Sequence, residues 1–238
     1  MQLFNDDAIK ILKSLPDESI DLIVTDPPYR TNPHGNCGNA GGMLKTKLSR
    51  QGKIFEHNDV KITGYAPEFF RVLKDGTHCY VMTNHYNLLE MLTVFTDVGF
   101  HFVKSLIWDK TNKIMGKYYM SQFEYILFFR KGTDRSINNA GTPDILRIPN
   151  KKSKYNGTNA HDTEKPVELM RILIENSSNE GDLVCDPFLG IGATGVAAIE
   201  TGRDFVGSEI DEGYFKIAQQ RIEDAENSAD ILDLSNLE

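Results

Sequence analysis

Asp26, Pro27, Pro28 and Tyr29 follow an apolar run, Ile20-Asp21-Leu22-Ile23-Val24-Thr25, that reads as a buried strand. A carboxylate, two prolines and an aromatic ring at the carboxyl end of a strand suit one uncommon reaction, methyl transfer to an exocyclic amine on a base. Such an amine is a poor nucleophile, because its lone pair is delocalised into the ring. A carboxylate and a backbone carbonyl that accept its two N–H groups can hold it and let the nitrogen pyramidalise as it attacks. Proline lacks an N–H and has a fixed φ, so a Pro-Pro turn presents carbonyls in a set direction. Tyr29 offers a stacking face for a base taken out of its duplex. The plainer alternative is a strand closed by a proline turn.

A second signal lies far downstream, where Leu183-Val184-Cys185-Asp186-Pro187-Phe188 leads into Leu189-Gly190-Ile191-Gly192-Ala193-Thr194-Gly195. This is a short strand, a glycine turn and the opening of a helix. Gly190 and Gly192 let the backbone pass close to a ligand. The acid-ended strand Phe205-Val206-Gly207-Ser208-Glu209 follows. Gly190, Gly192 and Gly195 also match G-x-G-x-x-G, with Glu209 19 residues after Gly190, which invites the alternative of an NAD-binding oxidoreductase. Asp186 opposes that alternative, since a carboxylate at the strand end repels a pyrophosphate but suits the ammonium of a methionyl group. Glu209 can accept ribose hydroxyls under either reading.

Together the two segments resemble the S-adenosylmethionine-dependent amino-methyltransferases that act on DNA, of the N6-adenine type whose catalytic motif precedes the cofactor motif. Asp26-Pro27-Pro28-Tyr29 matches the catalytic motif and Asp186-Pro187-Phe188-x-Gly190-x-Gly192 the cofactor motif. His161-Asp162-Thr163-Glu164-Lys165-Pro166 resembles the family's His-x-Thr-x-Lys-Pro element, and residues 123–132 resemble its last core strand. The resemblance implies a Rossmann-like α/β fold, a seven-stranded mostly parallel sheet with helices on both faces and the strand at 123–130 antiparallel. It implies that Asp186, Glu209 and Asp7 touch methionyl, ribose and adenine in turn, and that Phe188 packs beside the cofactor. His161 and Lys165 are expected near the methionyl or a carboxylate. Thr163 is open between a cofactor contact and a helix cap. Asp26 and the Pro27 carbonyl would hold adenine N6 while Tyr29 stacks the base. The nearest rival is N4-cytosine methylation, for which the family commonly has Ser in place of Asp26. Relatives acting on RNA or on protein glutamine usually show Asn there.

The net charge of −8 is unusual for a nucleic-acid binder, but it is segregated. Residues 30–55 carry Arg30, Lys45, Lys47, Arg50 and Lys53 with no acid, and residues 104–154 carry +7, leaving −20 elsewhere. Both basic segments lie beside the expected catalytic face, so contact with double-stranded DNA is expected through Arg30, Lys45, Lys47, Arg50 and Lys53. Tyr118-Tyr119 stand in a Lys-rich stretch, as aromatics do in nucleic-acid contacts. Cys37, Cys79 and Cys185 are unpatterned, so neither disulfides nor a metal site is expected. No Pro-Cys pair supports a covalent thiolate mechanism. The N-terminus has no secretory pattern and no run is long and apolar enough to span a membrane, so a cytoplasmic protein is expected.

The elements that must position these groups alternate. Strands are expected at 2–5, 20–25, 77–83, 101–108, 123–130, 183–185 and 205–208. Helices are expected at 6–15, 67–74, 85–98, 166–177, 193–201 and 212–225, with a frayed acidic tail over 228–238. Parallel sheets of this kind bind ligands outside the carboxyl ends of their strands, where Asp7, Asp26, Asp186 and Glu209 would converge. The 238 residues fit one methyltransferase domain, with candidate recognition loops at 30–60 and 133–160. The second of these is short for a recognition region, which makes a homodimer that pools basic segments a reasonable expectation.

Overall fold

In the computed structural model, residues 1–29, 60–114, 118–150, 154–155, 158–159 and 164–235 are described. Strands β1 (Gln2–Phe4), β2 (Ile20–Thr25) and β3 (Leu73–Thr83) alternate with helices α1 (Ala8–Ser14), α2 (Ile62–Val72) and α3 (Leu88–Val98). A hairpin follows, β4 (His101–Ile114) and β5 (Ser121–Arg130), and then the short β6 (Ile145–Arg147), β7 (Lys154–Tyr155) and β8 (Thr158–Asn159). The chain closes with α4 (Val167–Ser177), β9 (Leu183–Asp186), α5 (Ala193–Glu200), β10 (Asp204–Ser208) and α6 (Glu212–Ser235).

Alternation along the strands sorts the core into two layers. Leu22, Val24, Tyr80, Met82, Ile126, Phe128, Val184 and Phe205 face α4, α5 and α6. Their neighbours Ile23, Cys79, Val81, Leu127, Phe129, Cys185 and Val206 face α1, α2 and α3. The central strands β9, β2, β3 and β5 are apolar on both sides because both faces of the sheet are covered there.

The main sheet has the order β1-β10-β9-β2-β3-β5-β4-β6. Strands β1, β10, β9, β2 and β3 are mutually parallel, and β5 is antiparallel to both its neighbours. The N-terminal strand therefore completes the half built by the C-terminal strands. The sheet has eight strands rather than seven, because β6 pairs parallel with β4 through Ile107↔Ile145 and Trp108↔Leu146. Trp108 Nε1 donates to the Ile148 carbonyl at 2.8 Å, which pins this segment over an otherwise open edge.

Several boundaries differ from expectation, each for a local reason. Helix α2 starts at Ile62 and carries Pro67 inside it. Its buried stripe of Ile62, Tyr65, Ala66, Phe69 and Val72 outweighs the hydrogen bond that proline cannot donate. Asp75-Gly76 does not separate helix from strand. It sits in a bulge of β3, where the register passes from Ile20↔Leu73 to Leu22↔His78 and Gly76 has φ +72°. Helix α3 starts at Leu88 because Asn84 Oδ1 accepts from Tyr86 N and Asn87 N and holds a turn before it. Helix α6 runs on through residues expected to fray, on a sequence with no Pro and no Gly after Gly213. No helix among the described residues is long and apolar enough to cross a membrane.

Candidate active site

The chain leaves β2 toward β3 on one side and β9 toward β10 on the other, so the crevice between β2 and β9 is the point where strand order reverses. The two motifs end at this point and are joined there. Thr25 Oγ1, in the last residue of β2, donates to Asp186 Oδ1 at 2.6 Å. Phe188 N donates to the same oxygen at 3.1 Å, and Thr194 Oγ1 to Oδ2 at 2.7 Å. Asp186 is buried, and burial pushes its carboxyl up to about 6 despite these three donors. Thr25 and Thr194 escaped the sequence reading, although each lies next to, or within the first turn after, a motif residue.

Asp26 has a different environment. Its Oδ2 accepts from Lys165 Nζ, while its Oδ1 is buried with no hydrogen-bond partner among the described residues. Lys165 also lies 3.4 Å from Glu124 Oε2, and Glu124 Oε1 accepts from Lys110 Nζ. Both ammonium groups lie near the Trp108 ring, at 5.0 Å from its centroid for Lys110 and 6.0 Å for Lys165. The end of β2, the segment before α4 and the interiors of β5 and β4 thus supply a row of alternating charge. Burial raises Asp26, partly offset by Lys165. Burial would also raise Glu124, but Lys165 and Lys110 reverse this and leave it lowered. Burial opposes the charge on Lys165, yet Asp26 and Glu124 raise its ammonium above the usual range. Lys165, expected near the methionyl or a carboxylate, contacts the carboxylate of the catalytic motif. Glu124 stood in the stretch that resembles the family's last core strand but was given no site role there, and Lys110 carried no motif signal.

Pro27 is buried and Pro28 half-buried. Tyr29 is half-buried, and burial together with the Asp26 and Glu124 charges raises its phenol well above the usual range, so it is neutral at ordinary pH. Phe188 stands edge-on to Tyr65 of α2, 5.4 Å between centroids.

On the other side of the crevice, Gly190 has φ +55° with open space where a Cβ would be. Gly192 has φ +85° and a different reason to lack a side chain, since a Cβ there would lie 3.1 Å from Ala218 of α6. Glu209 follows β10; its Oε2 accepts from Gly190 N at 2.9 Å and its Oε1 from Asp211 N at 2.9 Å. The first of these bonds occupies an amide a pyrophosphate would require, which opposes the dinucleotide reading. Burial raises Glu209, against those two backbone donors. Asp7 follows β1 and caps α1 by accepting from Lys10 N at 3.0 Å. The four acids therefore stand at the carboxyl ends of four neighbouring parallel strands, β1, β10, β9 and β2, spaced by about 4.8 Å each.

His161, Thr163, Arg30, Lys45, Lys47, Arg50 and Lys53 lie outside the described residues. Helix α4 has Pro166 at its N-cap with no side-chain cap. Among the described residues, no three His, Cys, Asp or Glu side chains are grouped to hold a metal ion. Cys79 and Cys185 are buried, and burial raises both thiols, so neither is a poised nucleophile.

Comparison with known proteins agrees with this geometry. Residues 20–220 match the N6_N4_Mtase family, described as DNA methylase. The type II methyltransferase M2.DpnII of Streptococcus pneumoniae is 31% identical over 252 residues, covering 95% of this chain and 91% of that protein. Among solved structures, an M1.HpyAVI–SAM complex superposes with TM-score 0.69 at 23% identity, covering 92% of this chain and 98% of that one. The cytosine-N4-specific PvuII DNA methyltransferase superposes with TM-score 0.71 at 20% identity, covering 94% and 90%. The chain belongs to the N6/N4 DNA methylase family.

Proposed function

We propose that this protein transfers a methyl group from S-adenosylmethionine to N6 of adenine in double-stranded DNA. The observation that carries the reading is Asp26. One oxygen is fixed by Lys165, and the other is buried and without a hydrogen-bond partner among the described residues. A buried carboxylate oxygen in that condition costs free energy unless a donor arrives. An exocyclic amine is such a donor. Oδ1 accepts one of its N–H groups, the Pro27 carbonyl accepts the second, and the Tyr29 ring stacks on the extruded base.

The residues across the crevice fit the cofactor. The open face of Gly190 lets a ligand approach the backbone. Asp186 and Glu209 place acidic groups beside it for a methionyl ammonium and ribose hydroxyls, and Asp7 stands two strands beyond β9 for the adenine. His161 and Thr163 belong to the same set through their motif. S-adenosylmethionine supplies an electrophilic methyl carbon on a sulfonium. The protein positions the amine in line with that carbon and holds its N–H groups, so most of the acceleration comes from orientation and electrostatics. Asp26 Oδ1, the charged one of the two acceptors, takes the proton released as the new bond forms.

Adenine is favoured over cytosine by the carboxylate at position 26, with the PvuII likeness keeping the second amine in view. The β4–β5 hairpin grows from the same sheet edge and presents Lys113 with Tyr118 and Tyr119, which are 84% and 91% exposed. Its charge and aromatic faces suit a DNA strand, alongside Arg30, Lys45, Lys47, Arg50 and Lys53. The test is to digest methylated DNA to nucleosides and identify the product by mass spectrometry. N6-methyladenine is expected, N4-methylcytosine would move the reaction to the other amine, and no modified base would contradict the reading.

A further inference from the structure

The row Asp26–Lys165–Glu124–Lys110 is longer than amine binding requires. A single lysine would neutralise Asp26, yet Lys165 is shared with a second buried carboxylate, and that carboxylate with a second lysine. Glu124 comes from β5, Lys110 from β4, and Lys165 from the residue before Pro166 at the start of α4. All three converge on Trp108 and Asp26 at the substrate side of the crevice. Isolated, each of these charges would be expensive to bury, so the row is held as a unit. We propose that Lys165, Glu124 and Lys110 are positioning residues that grip Asp26 through Oδ2 alone and set the negative charge left on Oδ1 for the substrate amine. This rests on the reading of Asp26 as the amine acceptor.

The physical basis is sharing. A lysine paired with Asp26 only would drain its charge and weaken it as an acceptor, whereas Glu124 draws part of the ammonium's field away. Lys165 and Lys110 together hold Glu124 below the usual carboxylate range against its burial. The other titratable groups around Asp26 are Tyr29 in its own segment, Tyr65 on α2 and Asp186 at the end of β9. Both phenols are raised and neutral. Asp186 titrates near 6 but touches Thr25, Phe188 and Thr194, not the row. Its contribution is therefore common to wild type and row variants.

The experiment compares the acid limb of the single-turnover methylation rate for wild type, Lys165→Gln, Lys110→Met and Glu124→Gln, with S-adenosylmethionine saturating. The expected signs alternate along the row. Removing Lys165 takes an opposite charge from Asp26 and moves the limb up by roughly 1–3 pH units. Removing Lys110 moves it up by less. Removing Glu124 takes away a like charge and moves it down. Cofactor affinity should stay within about twofold, because these groups lie on the substrate side. Lys165→Arg should restore the wild-type limb more fully than Gln. If Lys165→Gln does not fold, Glu124→Gln and Lys110→Met still carry opposite expected signs. Shifts of the same sign, or no shift, alongside an inactive Asp26→Asn would overturn the proposal. An active Asp26→Asn would instead overturn the reading of Asp26 on which it rests.

Discussion

At the scale of single residues, two glycines and one carboxylate separate binding from folding. A methyl side chain at Gly190 meets open space, so Gly190→Ala should cost about 1 kcal/mol through its left-handed φ while sharply weakening S-adenosylmethionine binding. At Gly192 the added Cβ would crowd Ala218, so Gly192→Ala should cost more, roughly 1–3 kcal/mol, in stability. Thermal denaturation and calorimetry with the cofactor distinguish the two; equal losses of stability would remove the special role of Gly190. Asp186 gives a pH signature. Its folded-state carboxyl is raised from 3.8 to about 6, so the folded chain keeps a proton that the unfolded chain releases. Stability from this group is therefore present below pH 4 and declines as pH rises toward 6. A cation prefers the ionised form, so S-adenosylmethionine affinity should rise with pH up to about 6 and then level off. Asp186→Asn should flatten that rise in calorimetric titrations, and an unchanged rise would take Asp186 out of contact with the methionyl group.

At the scale of elements, the hairpin of β4 and β5 is the piece to test. On β5 the pair Ile114↔Ser121 lies three residues before Glu124, so the end of the hairpin projects about 10 Å past the charged row at the rise of a strand. Replacing Lys113, Tyr118 and Tyr119 by Ala should weaken DNA binding, by about 1–3 kcal/mol for each base stacked, and reduce its salt dependence. Fluorescence anisotropy at several salt concentrations reads both, and identical affinity and slope would place the DNA elsewhere. The sequence revealed strands β2, β9 and β10, because short apolar runs ending in an acid leave little choice. It did not reveal β6, three residues that become a strand only because β4 offers an open edge. Nor did it reveal the start of α2, where a proline looked like a beginning and a buried aromatic stripe placed it in the interior. The substrate side of the site was half legible. Asp26 and Lys165 stood in motifs, but Glu124 and Lys110 meet them only because a hairpin returns to the same edge.

At the scale of the whole molecule, an acidic chain carries two basic segments, residues 30–55 and 104–154. Specific protein–DNA interfaces bury roughly 1,000–2,500 Å² of protein surface, which favours two copies acting together. Light scattering at micromolar concentration should therefore give about twice the 26.8 kDa chain mass. A monomer mass with full activity would leave recognition to one chain. Both halves of the crevice meet in the bond from Thr25 to Asp186, and the proposed function divides the work between them, with Asp26 serving the substrate and Asp186 the cofactor. The most direct test is Asp26→Ala, assayed for labelled methyl transfer to DNA and, in the same preparation, for S-adenosylmethionine binding. Transfer should fall by at least 100-fold, the ~3 kcal/mol scale of a lost transition-state contact, while cofactor affinity stays near wild type. Near-normal transfer by Asp26→Ala would contradict the assignment of this crevice as the active site.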